Sequence, residues 1–106
     1  MALLSKILGS VAVPSAGTRV QITSTKIGCS GIIFQASSAN SGKIYVGDVT
    51  VTSSNGMAIG PGESFTVSAQ SIDGVADCEL ILSDYYVDAD TNGNTVRIHY
   101  LTVRTS

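Results

Sequence analysis

The sequence predicts an all-β protein: a single antiparallel β-sandwich or jelly-roll-like domain of about eight short strands, preceded by a short N-terminal apolar helix or arm. From residue 18 onward, short runs alternate apolar and polar residues, which is the period of a half-buried strand. Turns rich in Gly and Asn separate these runs, and no helical period appears after about residue 10. Evenly spaced short strands of this kind are typical of sandwiches and jelly rolls.

The strand-like runs cover residues 18–25, 31–37, 43–48, 49–54, 56–60, 64–69, 78–83, 85–89 and 95–105. In the second run, alternation places Ile32 and Phe34 on one face and Ile33 on the other. In the last run, Val96, Ile98, Tyr100 and Thr102 share one side. The predicted turns are Asn40-Ser41-Gly42, Asn55-Gly56, Gly60-Pro61-Gly62, Asp73-Gly74 and Asn92-Gly93. Neither proline falls inside a strand, which agrees with this interpretation.

The N-terminal segment shows a different pattern. Its large apolar residues are spaced as on one side of a two-turn helix that ends near Gly9, and they are Leu3, Leu4, Ile7 and Leu8. A helix this short needs a surface to lie on, either its own domain or a neighbouring subunit, so these four residues are the candidate partner-binding residues. The run is too short to cross a membrane, and Pro14 argues against a cleaved signal peptide. We therefore divide the chain into an arm or short helix, 1–16, and a β-sandwich domain, 17–106.

The composition favours an assembly component over a nucleic-acid-binding protein. A chain of 106 residues forms one domain, and only 13% of its residues are charged, against about 25% in ordinary globular domains. Because low charge leaves little colloidal repulsion, much of the surface is expected to be covered by other subunits, as in a homo-oligomer. The net charge is −2 and the basic residues are scattered, so no stripe for a phosphate backbone is predicted.

One stretch resembles a metal site. Asp88-Ala89-Asp90-Thr91-Asn92-Gly93 matches the opening of a calcium loop, but the twelfth position of that loop is His99 where a bidentate glutamate is needed. Asn92-Gly93 between two strand patterns is also a strong hairpin signal, so a plain β-turn is favoured over a cation site. Cys29 and Cys78 both lie beside apolar residues, which favours buried thiols, with a disulfide as the alternative.

No catalytic or cofactor-binding constellation is predicted, and we expect a protein that is not an enzyme. His99 falls opposite Ile98 and Tyr100 in the last strand, which places it towards solvent or an interface. The acidic residues Asp84, Asp88 and Asp90 form only a loose group, typical of a solvated face. Tyr85 and Tyr86 are adjacent in a strand, so one is expected to point into the core and the other outward.

The chain also resembles a group of small all-β proteins encoded among the virion genes of tailed bacteriophages. The resemblance rests on "AGTRVQITST", "NSGKIYVGD", "NG", "PGES" and "LSDYYVDADTNG", and it extends from Ala16 to Tyr100. It implies roles in capsid decoration, cement or head fibres, and sometimes in the tail or neck. The N-terminal segment and the stretch "SIDGVADCELI" depart from the pattern, and a partner-specific contact is expected there.

The resemblance and the composition together predict a structural virion protein that is made in the bacterial host cytoplasm and located on the capsid surface. Its expected role is that of a capsid cement or decoration protein that bridges major capsid protein subunits and forms a homo-oligomer on the particle. No cofactor, nucleic acid or membrane partner is expected. The alternatives are a tail, neck or head-fibre component and a carbohydrate-binding adhesion module.

Overall fold

The backbone forms antiparallel β-structure in the two ranges that the computed structural model describes, residues 2–68 and 80–104. The strands in those ranges are β1 (Ala2–Val13), β2 (Val20–Gln21), β3 (Gly28–Cys29), β4 (Gly31–Ala36), β5 (Ile44–Gly47), β6 (Met57–Ile59), β7 (Ser64–Ser68), β8 (Leu80–Ile81), β9 (Tyr86–Ala89) and β10 (Asn94–Arg104). A single 3-10 turn, Leu82–Asp84, joins β8 to β9. No α-helix occurs in these ranges, so the predicted all-β class is confirmed.

Eight of the strands form two four-stranded sheets. Sheet I has the order β1-β10-β4-β7 and sheet II has the order β2-β9-β5-β6, while β3 and β8 pair separately. Every strand pair is antiparallel. The strand orders show that neighbours in a sheet are often distant in sequence, because the chain crosses repeatedly between the two sheets.

The inward faces of both sheets contribute to one hydrophobic cluster. From sheet I it contains Val13, Ile32, Phe34, Ala36, Val96 and Ile98, and from sheet II it contains Ile44, Val46, Ile59, Val87 and Ala89. Ile32 and Phe34 are fully buried and Ile33 between them is only half-buried, which confirms the predicted facing of β4. Full burial of side chains of this size stabilises the fold by about 1.5–3 kcal/mol each.

The predicted N-terminal helix is wrong, because this segment is strand β1. It pairs with β10 along its whole length, from Ala2 opposite Arg104 to Val13 opposite Asn94. The register shifts between Ile7 and Gly9, where Gly9 has a φ of 128°. Leu8 is thus the extra residue of a β-bulge, which interrupts the two-residue period and makes the apolar spacing look helical. Pairing with β10 gives hydrogen-bond partners to one edge of this twelve-residue strand, whereas a two-turn helix leaves most of its terminal groups without partners. The predicted boundary between residues 16 and 17 stays a prediction.

The run 49–54, predicted as a strand, is a loop that folds over the outer face of sheet II. The side chain of Asp48 accepts a hydrogen bond from the Thr50 amide (2.8 Å), and that of Asn55 accepts one from the Thr52 amide (2.7 Å). Such local bonds compete with strand pairing, since they satisfy backbone groups that a ladder would otherwise use. The loop buries Val51, which is 2% exposed and lies outside the main cluster.

Replacing Gly56 by alanine is expected to destabilise the protein by about 1–3 kcal/mol through overpacking. A Cβ atom at Gly56 would lie 2.7 Å from Val51 Cγ2, 2.8 Å from Tyr45 Cβ and 3.1 Å from the Thr52 carbonyl oxygen. Urea denaturation measures the loss, with the exposed Ser54→Ala in the same loop as the control, expected to stay within about 0.5 kcal/mol of the wild type. Equal midpoints for the two variants would mean that the loop does not pack against this glycine.

The turns predicted around Gly60-Pro61-Gly62 and Asn92-Gly93 are present. Glu63 donates its amide to the Gly60 carbonyl (2.9 Å) and Gly62 has a φ of 79°, as a type II turn requires. At the second turn, Asn94 donates its amide to the Thr91 carbonyl (3.4 Å) and Gly93 has a φ of 83°. The strands on its two sides, β9 and β10, belong to different sheets, so the hairpin pairing expected there is wrong. The reason lies in Asn92, whose φ is not positive, because a two-residue type I′ hairpin turn needs positive φ at both central residues.

Candidate partner-binding surface

Strand β1 forms one edge of sheet I. Within residues 2–68 and 80–104, β10 is its sole strand partner, so no strand covers its other edge. Its twelve residues contain one charged side chain, that of Lys6. A long edge strand with little charge is a template on which another extended chain can pair, unless something covers it. The edge of β1 is therefore the candidate partner-binding surface.

The structure separates the four residues predicted to bind a partner. Ile7 is 73% exposed, whereas Leu8 is half-buried and packs against the core cluster. The backbones of Leu3 and Leu4 pair with Val103 and Thr102, and their side chains lie outside the described part of the structure. Of the two side chains that can be placed, only that of Ile7 is accessible to a partner.

A second apolar residue lies near Ile7, and sequence reasoning did not group the two. Ile7 pairs with His99, which pairs with Ile33 of β4, which in turn pairs with Thr66 of β7. These four residues form a row across the outer face of sheet I, because directly paired residues share a face. His99 is half-buried between two isoleucines, and its predicted outward direction is confirmed. Only the strand register, which alternation alone cannot supply, places Ile33 near Ile7.

The far end of β1 continues beyond the rest of sheet I. Among the residues that the structure describes, strand β4 pairs with β10 only up to Leu101, and from Thr102 to Arg104 the partner of β10 is β1. The molecule is correspondingly elongated, with extents of 41 × 23 × 22 Å. A two-stranded ribbon of this kind offers backbone for pairing at a distance from the core.

The side-chain oxygens of the Asp88–Gly93 turn bind backbone amides of other loops. Asp88 Oδ1 accepts from the Gly17 amide (3.0 Å), Asp90 Oδ1 from the Lys43 amide (2.9 Å) and Asn92 Oδ1 from the Ala16 amide (2.7 Å). Asp88 is 1% exposed, and its bond to the Gly17 amide is partly buried. These contacts favour the turn interpretation, since the oxygens hold two neighbouring loops in place. In the part of the chain that the structure describes, no three His, Cys, Asp or Glu residues are grouped so that they could hold a metal ion.

The two adjacent tyrosines point in opposite directions, as predicted. Tyr85 packs against the core and its ring lies 6.0 Å from that of Phe34. Tyr86 pairs with Gly47 and Gln21, one position from the inward-facing Val87, and so lies on the outer face of sheet II. Tyr45 lies on the same outer face, where burial and then the Asp90 carboxylate, which accepts its hydrogen bond, raise the pKa of its phenol. The Tyr45 phenol therefore stays protonated near neutral pH, and its hydroxyl donates to the Asp90 carboxylate.

Other predicted residues have simple positions. Cys29 is buried, in agreement with its apolar surroundings, while Cys78 and the turn at Asp73-Gly74 lie outside the described residues, so the disulfide question stays open. The stretch 71–81 is described only at Leu80 and Ile81, which form β8.

Hydrogen bonds from the hydroxyl and the amide of Thr50 lower the pKa of Asp48, an exposed carboxylate at the start of the loop 48–56.

Comparisons with known proteins add no relatives: no protein-family model, no curated protein and no solved structure matches this chain. Among the residues described, no helix is long and apolar enough to cross a membrane.

Proposed function

We propose that this protein is a capsid cement protein of a tailed bacteriophage, which binds the major capsid protein and stabilises the shell. The observation that carries the proposal is the edge of β1, which no strand within residues 2–68 and 80–104 covers. This twelve-residue strand has a single charged side chain, and its Ile7 is open to solvent. This edge suits strand addition, in which an extended segment of a partner continues a sheet through backbone hydrogen bonds. The resemblance of residues 16–100 to small phage virion proteins gives the partner.

The strand order supports a jelly-roll sandwich as the scaffold. Without the short pair β3 and β8, the remaining eight strands can be renumbered 1 to 8, and the sheets then read 1-8-3-6 and 2-7-4-5. Strand 1 pairs with 8, 2 with 7, 3 with 6 and 4 with 5. A long antiparallel ribbon rolled into two sheets produces this order, and jelly rolls of eight strands are used by viral capsid and lectin domains. Because a fold alone does not give a function, the edge of β1 and not the topology carries the proposal.

Stabilisation of the shell follows from mass action. A protein that binds assembled capsid subunits but not their dissociated form shifts the equilibrium towards the assembly. A specific contact of this type buries about 800 Å² on each partner. Pre-formed β-structure loses little conformational entropy on binding, so more of the contact energy is retained. Many copies, associated as homo-oligomers on the particle, would act on every seam of the shell.

The test is co-sedimentation with purified genome-filled particles of the phage that encodes the protein, with isolated tails of the same phage run in parallel. The wild type is expected to migrate with the capsids in a fixed ratio, and Ile7→Lys is expected to weaken capsid binding by at least about tenfold, as loss of a central apolar contact does. Val49→Lys is the matched control, because Val49 is 51% exposed in the 48–56 loop on the other sheet.

Two results would contradict the proposal. If the protein migrates with tails but not with capsids, the tail or neck alternative replaces it. If Ile7→Lys and Val49→Lys both bind capsids as the wild type does, the edge of β1 is not the binding surface.

A further inference from the structure

A polar groove lies on the outer face of sheet I, beside the row that contains Ile7. It has a volume of about 330 Å³ and is lined by eight residues, among them Ser10, Gln35, Ser37, Ser38, Thr95 and Arg97. Small-molecule sites of proteins start at about this volume. The groove is large enough for one sugar ring or one extended side chain.

Strand register explains the shape of the groove. Arg97 pairs with Ser10 on β1 and with Gln35 on β4, so the three side chains form a row on the outer face. Short side chains flank the arginine: Ser10 lies on one side of it, and Thr95 lies two positions before it on the same face of β10. The Thr95 carbonyl accepts a hydrogen bond from the Ser37 amide (3.1 Å), which brings Ser37 next to this row. The groove lies along these rows, and the side chain of Arg97 is exposed in it.

The charge of the groove is opposite to that of the protein. Arg97 is exposed, none of the other seven lining residues is charged, and the chain as a whole carries −2. Since no acidic residue lines the groove in the described part of the chain, the Arg97 guanidinium is suited to a bidentate bond with an anionic ligand.

The hydroxyl and amide groups around Arg97 are largely unused. Within the described ranges, the one hydrogen bond made by a lining side chain is that of Ser37 Oγ, which accepts from the Ala39 amide (3.2 Å). Ser10, Gln35, Ser38 and Thr95 therefore present both donors and acceptors to the groove.

We propose that this groove binds a sugar acid, that is, a monosaccharide unit that carries a carboxylate. The carboxylate would pair with Arg97, and the sugar hydroxyls, which both donate and accept, would match the serines, Thr95 and Gln35. An acidic side chain of a protein partner would engage Arg97 but would leave most of the surrounding acceptors without donors. The chemistry of the lining therefore favours the sugar.

The binding is expected to be weak for a single copy, with a dissociation constant on the order of 1 mM, because the groove is open and offers one charged contact. Many copies on one particle would raise the apparent affinity for a polysaccharide by about 10² to 10⁴. This avidity rests on the proposed function, whereas binding of a single sugar to the groove does not.

The experiment is an NMR titration of the ¹⁵N-labelled full chain with sodium glucuronate and sodium galacturonate. The controls are glucose and galactose, which lack the carboxylate, and sodium acetate, which lacks the sugar. Saturable shifts are expected at the amides of Ser10, Gln35, Thr95 and Arg97 with the sugar acids, with at least tenfold weaker binding of all three controls.

Variants locate the site. Arg97→Gln is expected to abolish the shifts, and Gln35→Glu is expected to do the same by placing a negative charge beside an intact arginine. Arg19→Gln, at an exposed arginine outside the groove, should bind as the wild type does. The unliganded spectra show whether each variant is folded.

Three outcomes would overturn the inference. If acetate binds with the same affinity as glucuronate, the groove recognises only the carboxylate, as an acidic side chain of a protein partner would supply it. Equal binding of neutral sugars would remove the role of Arg97, and unchanged spectra up to about 50 mM sugar acid, well above the expected dissociation constant, would remove the site. None of these results affects co-sedimentation with capsids, so the two proposals fail separately.

Discussion

Replacing Phe34 by alanine is expected to lower the free energy of unfolding by about 3–5 kcal/mol. Phe34 is fully buried at the centre of β4, between Ile98 of β10 and Phe65 of β7, and its ring lies 6.0 Å from that of Tyr85. Truncation removes the transfer energy of the ring and leaves a cavity that paired strands on both sides cannot close. Since small domains are stable by only about 5–15 kcal/mol, this one change removes a large part of the total.

Chemical denaturation followed by far-UV circular dichroism measures this loss, and the neighbouring Ile33→Ala is the matched control. Ile33 lies on the same strand, between the same two neighbouring strands β10 and β7, but it faces outward and is half-buried. Its truncation is expected to cost clearly less, about 1 kcal/mol, because a half-buried side chain contributes only part of the about 1.5–3 kcal/mol that full burial provides. A loss for Ile33→Ala as large as that for Phe34→Ala would mean that the two faces of β4 are assigned the wrong way round.

Local alternation was enough to predict those strands that are buried on one face. In β4, the apolar Ile32 and Phe34 alternate with Ile33 and Gln35, and in β10 Val96 and Ile98 alternate with Arg97 and His99. A half-buried strand imposes this pattern on its sequence, so the pattern identifies both the strand and its inner face.

Alternation gave the wrong prediction where a β-bulge or a side-chain hydrogen bond to the backbone decides the local structure. The bulge at Leu8 hid the period of β1, and the side chains of Asp48 and Asn55 turned a strand-like run into a loop. The two-residue strand β3 (Gly28–Cys29) is too short to show any period, and it was not predicted.

The candidate surface depends even more on long-range pairing. Ile7 was predicted as a contact residue on the basis of a helix, yet it is exposed because it lies on an edge strand opposite His99. Ser10, Gln35 and Arg97 come from three strands, and only the registers of β1 with β10 and of β10 with β4 place them in one row. No signal within a single segment could have grouped them.

Replacing Asp88 by alanine is expected to destabilise the protein by about 2–4 kcal/mol. The buried Ala89 amide would lose its acceptor, which costs about 1–3 kcal/mol, and the partly buried Gly17 amide would lose a hydrogen bond that contributes about 1 kcal/mol. Asp88 is 1% exposed, and its Oδ1 accepts from the amides of Gly17 (3.0 Å) and Ala89 (2.7 Å). The first of these bonds ties the loop after β1 to sheet II. Loss of the carboxylate therefore weakens the connection between the edge strand and the second sheet.

Thermal and urea denaturation measure the effect, and hydrogen exchange at the Gly17 amide should show where it acts. Asp88→Asn keeps the Oδ1 atom that accepts both bonds and loses only the negative charge, so it is expected to lose roughly half as much. The exposed Asp84→Ala is the control, with a change within about 0.5 kcal/mol.

Millimolar calcium should leave the wild-type midpoint unchanged, because the oxygens of Asp88, Asp90 and Asn92 already accept from three different backbone amides. A calcium-dependent rise of several degrees that disappears in Asp88→Ala would instead show that the turn binds a cation, because a ligand that binds only the folded state raises its stability.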